Sequence, residues 1–186
     1  MNYYLPKSLT VDGVDYEIRT DYRVILDIME ALADPELTDE DKAEVAFEVL
    51  YPDYEKIPPQ AKFEAIERAY WFINGGRTDD GKVTPKVMDW EQDFEYIAAP
   101  ISKAYGQDIR GVAHLHWWTF LSYYMEIGDC TFAQIVSIRE KRRKGKLEKW
   151  EREWYRKNKD LVDFKVRYTD TEKDLLEQWT GEKHGK

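Results

Sequence analysis

The sequence predicts a mainly α domain of five to six helices with an N-terminal β-hairpin, and three observations predict it. Apolar and polar residues alternate in one stretch, on both sides of an Asp-Gly pair. Elsewhere, apolar residues recur every three to four positions, which is the period of one helix face. Capping residues and glycines separate these periodic segments.

The β signal is the stretch SLTVDGVDYEIRT, residues 8–20. Leu9 and Val11 alternate with polar residues before the Asp-Gly pair, and Val14 and Tyr16 alternate after it. Asp-Gly is favoured in two-residue hairpin turns because both central positions need a positive φ. A two-stranded hairpin is marginally stable by itself, so we expect it to lie on the helices.

The first two helices follow the hairpin. The first is capped by Thr20 or Asp21 and closed by Pro35, since proline cannot continue a helix. The second covers about residues 39–51, and it opens at Thr38 with acidic residues in its first turn. Both carry apolar residues at helical spacing, which predicts one buried face for each.

A third helix is predicted from about Gln60 to Ile73, with Phe63 on its apolar stripe and an Asn-Gly-Gly stop behind it. The fourth runs from Asp89 toward Tyr105. Pro100 lies inside this segment, so we expect a kink or a break there.

The fifth helix is predicted from about Gly111 to Ile127, where aromatic and apolar residues cover all sides. Such a helix is typical of a buried, central position. Thr131 and Gln134 match a capping box before the sixth helix. That helix becomes strongly basic over residues 139–159, with Gly145 as a point of interruption.

Charge is unevenly distributed along the chain, whose formal net charge is −9. Residues 1–100 contain 10 basic and 23 acidic side chains, whereas residues 139–167 contain 13 basic and 6 acidic ones. A chain with this split can pair its own ends, pair with a second copy, or present a basic arm to an acidic partner. The overall acidity argues against bulk nucleic-acid binding.

The sequence also suggests where the protein works. Cys130 is the single cysteine, so no internal disulfide forms and a reducing compartment is expected. No apolar run approaches the ~18 residues of a membrane span, and the N-terminus lacks the apolar segment of a signal peptide. We therefore expect a soluble intracellular protein with no membrane partner.

No residues form a recognisable catalytic or metal-binding pattern. His114 and His116 are two positions apart, and on a helix this spacing points them in different directions, so they cannot share a metal ion. We predict no catalytic residue, no cofactor and no metal. His116, Trp117, Trp118 and Phe120 are assigned to the structural core. The alternative is that one flank of this aromatic helix faces a client or an oligomer neighbour.

Aromatic residues interleave with the basic ones in the 139–159 segment, and they recur at helical spacing. This pattern predicts a solvated or protein-docking amphipathic helix. The candidate partner-binding residues are Arg142, Arg143, Trp150, Arg152 and Trp154. A nucleic-acid-binding helical module that uses the same basic helix remains the alternative function.

Residues 105–144, YGQDIRGVAHLHWWTFLSYYMEIGDCTFAQIVSIREKRRK, resemble the central signature of a family of tail-assembly-chaperone-like proteins from siphophages and prophages of Gram-positive bacteria. The shared positions are Asp108-Ile109, His116-Trp117-Trp118-x-Phe120, Gly128, Phe132-x-x-Ile135 and Ile138-Arg139. The N-terminal stretch LPKSLTVDGVDYEIRTDYRVIL and Trp90 also fit. The resemblance covers about residues 3–165.

The resemblance implies a non-enzymatic tail assembly chaperone. Such proteins coat the long tape measure protein and keep it soluble until tail tube subunits polymerise around it. The implied partners are the tape measure protein and the tail tube protein. The charge split makes a second copy of the chain a further expected partner. The implied location is the host bacterial cytoplasm rather than the finished virion. We expect one chaperone-like domain over residues 1–166, followed by a tail, 167–186, with a short helix.

Overall fold

The computed structural model of the protein describes residues 4–78, 81, 85–172 and 175. In these residues a two-stranded antiparallel hairpin precedes eight α-helices, and three short 3-10 turns join them. The prediction of a mainly α fold with an N-terminal hairpin is confirmed. Most of the predicted tail, residues 167–186, lies outside the described part of the chain.

The hairpin pairs β1 (Ser8–Val11) with β2 (Val14–Glu17). Its turn residues Asp12 and Gly13 both have positive φ, as the sequence predicted for this pair. β1 packs on the third helix, and Leu9 and Val11 are buried there. The backbone N–H of Asp12 also donates to the carboxylate of Glu64 on that helix, so the turn is fixed as well.

The next three helices are α1 (Tyr22–Leu32), α2 (Asp39–Leu50) and α3 (Lys62–Ile73). Asp21 caps α1, and Thr38 forms a reciprocal capping box with Asp41 at the start of α2. A 3-10 turn over Pro59–Ala61 delays the start of α3. Phe63 is 73% exposed, so its assignment to the apolar stripe was wrong. The buried face of α3 follows Ala65, Ala69 and Phe72, and Phe63 points away from it.

Helix α4 (Trp90–Tyr105) passes through Pro100 without a break, contrary to one of the predicted outcomes. Proline removes a single hydrogen-bond donor from the helix. Ile97, Ala98 and Ile101 are buried on both sides of it. Their packing holds the helix together across the missing bond.

Helix α5 (Trp117–Met125) is shorter than predicted, because residues 112–116 are not helical. This segment runs beside the start of α1. The N–H of Tyr22 donates to the carbonyl of Leu115 at 2.9 Å, and the N–H of Trp117 donates to the carbonyl of Thr20 at 2.7 Å. The carboxylate of Asp21 also accepts from the N–H of Leu115. These bonds to a distant segment replace the helical ones.

The predicted basic helix over residues 139–159 is two helices, α6 (Thr131–Arg143) and α7 (Lys149–Lys157), followed by the short α8 (Lys159–Val162). Gly145, at φ +67°, lies in the turn between the first two. α6 is capped by Cys130 rather than opened by the predicted Thr131 box, since the Cys130 sulfur accepts from the N–H of Ala133.

One apolar cluster unites the hairpin, α1–α5 and the first turn of α6. Its largest fully buried side chains include Trp117, Tyr22, Tyr51, Phe72 and Phe120. The later buried residues Ile135, Ile138 and Val162 lie outside this cluster. Val136 on α6 also packs against the cluster, so α6 connects the C-terminal helices to it.

Candidate partner-binding surfaces

The described residues contain no group of three or more histidine, cysteine, aspartate or glutamate side chains placed to hold a metal ion. In the same part of the chain, no helix combines the length and apolarity that crossing a membrane requires. The contacts of the residues predicted from the sequence show what each side chain does in the fold.

His116 caps helix α5. Its Nδ1 accepts from the N–H of Trp118 at 3.1 Å, and its Nε2 lies 2.9 Å from the carbonyl oxygen of Pro6. Both contacts together require the neutral ring protonated on Nε2. Burial lowers the pKa of His116, which favours that neutral form. His114 instead contacts the hydroxyl of Thr20 at 3.0 Å, so the two histidines serve different segments.

The two adjacent tryptophans both bond to the end of α3. The indole N–H of Trp117 donates to the carbonyl of Ile73 at 2.8 Å, and that of Trp118 donates to the carbonyl of Phe72 at 2.9 Å. The last carbonyls of a helix lack partners within it, and the indoles supply them. Trp117 and Phe120 are fully buried, whereas Trp118 is partly exposed.

A cleft of about 440 Å³ opens beside these rings. Trp90, Trp118, Tyr124 and Met125 are among the side chains that line it. Gly75 lines the cleft as well, and the next residue, Gly76, packs so closely that a β-carbon there would lie 2.8 Å from the Trp118 ring. Among the described residues, Arg77 is the charged side chain that lines this cleft, and no carboxylate does.

The feature that sequence reasoning missed is the ion pair of Asp93 on α4 with Arg139 on α6, here named the C-terminal clamp. The side chains are 1% and 4% exposed. Arg139 donates to both carboxylate oxygens of Asp93, at 2.5 and 2.9 Å. Asp93 also accepts from the N–H of Asp89 at 2.9 Å. Buried charges persist when they are paired and fully hydrogen-bonded, and both conditions hold here.

The remaining donors of Arg139 hold three backbone carbonyls. Nε donates to Val162 at 2.7 Å, and the Nη groups donate to Leu161 at 2.9 Å and Val87 at 3.2 Å. The guanidinium also lies 4.2 Å from the ring centroid of Phe164. All five N–H donors of an arginine are thus occupied. Through Arg139, the clamp joins the segment before α4 to the last two residues of α8.

One sequence signal could have indicated the clamp. Phe132, Ile135 and Arg139 lie at the helical spacing i, i+3, i+7, so Arg139 continues the apolar stripe of α6. An arginine at a stripe position is expected to be buried and paired. Arg139 begins the basic segment 139–159, so the sequence pattern alone grouped it with the solvated cations of that segment.

The five predicted partner-binding residues divide into two groups. Arg143, Trp150 and Arg152 are exposed, and Trp150 is 55% exposed despite its size. Arg142 is instead engaged within the chain. It donates to Asp163 at 2.6 Å and lies 4.7 Å from the Tyr155 ring centroid. Trp154 is partly buried.

An ion pair between Lys141 on α6 and Glu151 on α7 connects the two basic helices. The hydrogen bond from Lys141 lowers the pKa of Glu151, whose side chain is 2% exposed. The same carboxylate accepts from the N–H of Glu148 and so closes the capping box of α7. This ion pair fixes the position of α7 relative to α6.

The exposed cations around α7 form what we name the basic face. Its members share one property, which is that no carboxylate in the described residues pairs with them. They are Arg143, Lys146, Lys149, Arg152, Arg156, Lys157 and Lys159, with Trp150 among them. Exposed tryptophan and arginine side chains are enriched at protein interfaces. The indole N–H of Trp150 donates to Glu148 at 2.9 Å.

Comparison with known proteins identifies the family. The sequence profile described as "Bacteriophage Gp15 protein" matches residues 1–164. No curated protein and no solved structure matches the sequence significantly. The match covers the hairpin and helices α1–α8, including the clamp and the basic face. The bacteriophage part of the resemblance is confirmed, and the chain belongs to the bacteriophage Gp15 protein family.

Proposed function

We propose that this protein is a non-enzymatic tail assembly chaperone, which binds the phage tape measure protein and keeps it soluble during siphophage tail assembly. The observation that carries the proposal is the basic face, with uncompensated cations around an exposed tryptophan. Membership of a bacteriophage family and the resemblance of residues 105–144 support it. The proposal assigns no catalytic residue and no cofactor.

The physical argument concerns reversibility. A chaperone for a long client must bind it repeatedly and release it when tail tube subunits arrive. Charged rim contacts speed association and weaken with salt, while one exposed aromatic residue supplies limited adhesion. The basic face combines these two kinds of contact. We place its work in the host cytoplasm, before the virion is complete.

The test is co-expression with a tape measure fragment that is insoluble alone. The parent chain should yield a soluble complex that dissociates as ionic strength rises. Reversing Arg143, Lys149 and Arg152 to glutamate should leave the fragment insoluble while the variant itself stays folded. Arg142 is excluded from this set, since a glutamate there would face Asp163.

The matched control reverses Lys7, Lys103 and Lys165, which are exposed, form no ion pair in the described residues and lie outside α7. Lys165 lies beside Gln92 on α4. The control changes the net charge by the same amount. If the folded basic-face variant solubilises the fragment as well as this control does, the proposed surface is wrong. Salt-sensitive DNA or RNA binding by the parent, lost in the same variant, would favour the nucleic-acid alternative.

A further inference from the structure

A second cleft, of about 280 Å³, lies between α1 and the start of α4. Its apolar lining consists of Leu26, Trp90 and Phe94. Asp27, Glu30 and Glu91 also line it, and we name the whole the acidic cleft. An apolar depression with a carboxylate rim suits a large aromatic side chain that is flanked by cations.

The carboxylates beside this cleft lack compensation. Residues 24–41 include no lysine or arginine. Asp27 and Glu30 are exposed, and no cation in the described residues pairs with either. Glu91 pairs with Arg167 at 2.7 Å. Two free carboxylates therefore face solvent at the edge of an apolar surface.

The complementary feature is on the same chain. Trp150 projects from α7 with Lys149 beside it, and Lys157 lies two helical turns further along the same side. Both lysines belong to the uncompensated basic face. We name Trp150, Lys149 and Lys157 the knob. Opposite charges are also present: Glu148, whose carboxylate accepts from the Trp150 indole N–H at 2.9 Å, and Glu153 lie at the knob, and Arg23 lies at the cleft. A projecting aromatic side chain beside two cations complements an apolar cleft with carboxylates at its rim.

No ion pair in the described residues joins the two surfaces within one chain. The main contacts of α7 are with α8, whereas α1 contacts α2, α4 and α5. We propose that a second copy of the chain docks head to tail, with Trp150 of one copy in the acidic cleft of the next. Such a contact uses two different surfaces of the chain. Each end of the assembly therefore keeps one unoccupied surface, and further copies can add there.

A second copy fits better than nucleic acid. Phosphates would be repelled by the acidic cleft and by a chain of net charge −9. A copy satisfies both surfaces at once. This inference needs no client, so its test is separate from that of the proposed function. A client bound to the basic face would compete with the next copy.

The experiment is sedimentation equilibrium of the full chain at low salt over a concentration series. The average mass should rise beyond that of a dimer without a plateau, and it should fall as salt is added. A knob variant, Trp150→Ala with Lys149→Ala and Lys157→Ala, should weaken association by about 30-fold or more. A cleft variant, Asp27→Ala with Glu30→Ala, should weaken it in the same direction.

Mixing these two variants provides the decisive result. The knob variant keeps an intact cleft, and the cleft variant keeps an intact knob. An equimolar mixture should therefore form a heterodimer and stop there, which also shows that both variants are folded. The control Glu55→Ala with Glu67→Ala removes two exposed carboxylates away from the cleft and should associate like the parent.

Three results would overturn the inference. The parent chain could stay monomeric at low salt across the series. Its mass could reach a plateau at the dimer, which indicates a closed twofold contact. The two variants could associate like the control, or remain monomeric when mixed although circular dichroism shows both to be folded.

Discussion

The N-terminal body and the C-terminal section of this protein are held by different forces. From the hairpin to the first turn of α6, one continuous cluster of apolar side chains supplies the cohesion. From there to residue 167, the buried apolar side chains Ile135, Ile138 and Val162 lie outside that cluster, and buried charged groups add polar contacts with the body. Arg139 binds Asp93 and the carbonyl of Val87 on the body, and Arg167 binds Glu91.

The difference teaches where the fold tolerates change. Apolar cohesion is spread over many residues and depends little on pH or salt. Polar cohesion depends on a few charged groups with defined partners. Loss of one partner therefore leaves the other buried without its counter-ion. The basic face, which is proposed to bind partners, lies on the C-terminal section. None of its residues belongs to the main apolar cluster, so they are available to contact partners.

The largest expected effect comes from the clamp. Arg139→Met should lower the free energy of unfolding by about 3–5 kcal/mol, because Asp93 is left buried without its counter-ion. Urea denaturation measures this loss. The control Arg142→Met breaks an exposed ion pair and should cost less than about 1 kcal/mol. Equal losses in both variants would show that the clamp has no special role.

A companion variant separates charge from packing at the same point. Asp93→Leu added to Arg139→Met removes both charges, and it should recover part of the lost stability. The bonds to Leu161, Val162 and Val87 stay broken, so recovery should be incomplete. No recovery at all would mean that the carbonyl contacts, rather than the ion pair, hold the C-terminal section.

The apolar body is tested by Phe120→Ala. This side chain is fully buried, so the free energy of unfolding should fall by about 3–5 kcal/mol. Trp118→Ala should cost less, since Trp118 is partly exposed. Met125, which is 61% exposed, offers the control Met125→Ala with little change. If Phe120→Ala unfolds at the parent's urea midpoint, the aromatic cluster is not the source of cohesion.

The free energy of unfolding should depend on pH through His116, and this effect is smaller than the effect of Phe120→Ala. Burial holds the folded pKa of His116 below its usual value of 6.5, so the unfolded chain binds the proton more readily. Its contribution is fully present above about pH 6.5 and is lost as pH falls toward the folded pKa. His116→Asn keeps a capping side chain that does not titrate. Between pH 7 and 5, stability should fall less in this variant than in the parent.

The smallest effect on stability is expected on the basic face. Trp150→Ala should change the free energy of unfolding by less than about 0.5 kcal/mol, because the ring is 55% exposed. Sedimentation of the same variant should nevertheless show weaker self-association. A large loss of stability would show that Trp150 packs within its own chain.

Local patterns were enough to predict the elements whose signals are local. The Asp12-Gly13 turn, the Asp21 cap and the Thr38 cap appear as the sequence indicates. The helix predicted over 111–116 does not form, because its backbone bonds to residues 20–22. Those partners are more than 90 residues away, and hydrophobic periodicity carries no information about them.

The candidate site was predictable only in composition. Exposed Arg143, Trp150 and Arg152 agree with the expectation of a charged surface. The engagement of Arg142 with Asp163 depends on α8 folding back onto α6, which no local pattern indicates. Arg139 was missed for the same reason, since its partner lies 46 positions earlier.

That separation of 46 positions also sets an order of events during synthesis. At about 5–20 residues per second, Asp93 leaves the ribosome roughly 2–9 s before Arg139 does. Until then the carboxylate of Asp93 lacks its counter-ion, and burial of an unpaired charge costs free energy, which disfavours full docking of α4. The hairpin and α1–α3 can collapse in that interval. The clamp thus couples the final packing of α4 to the emergence of α6.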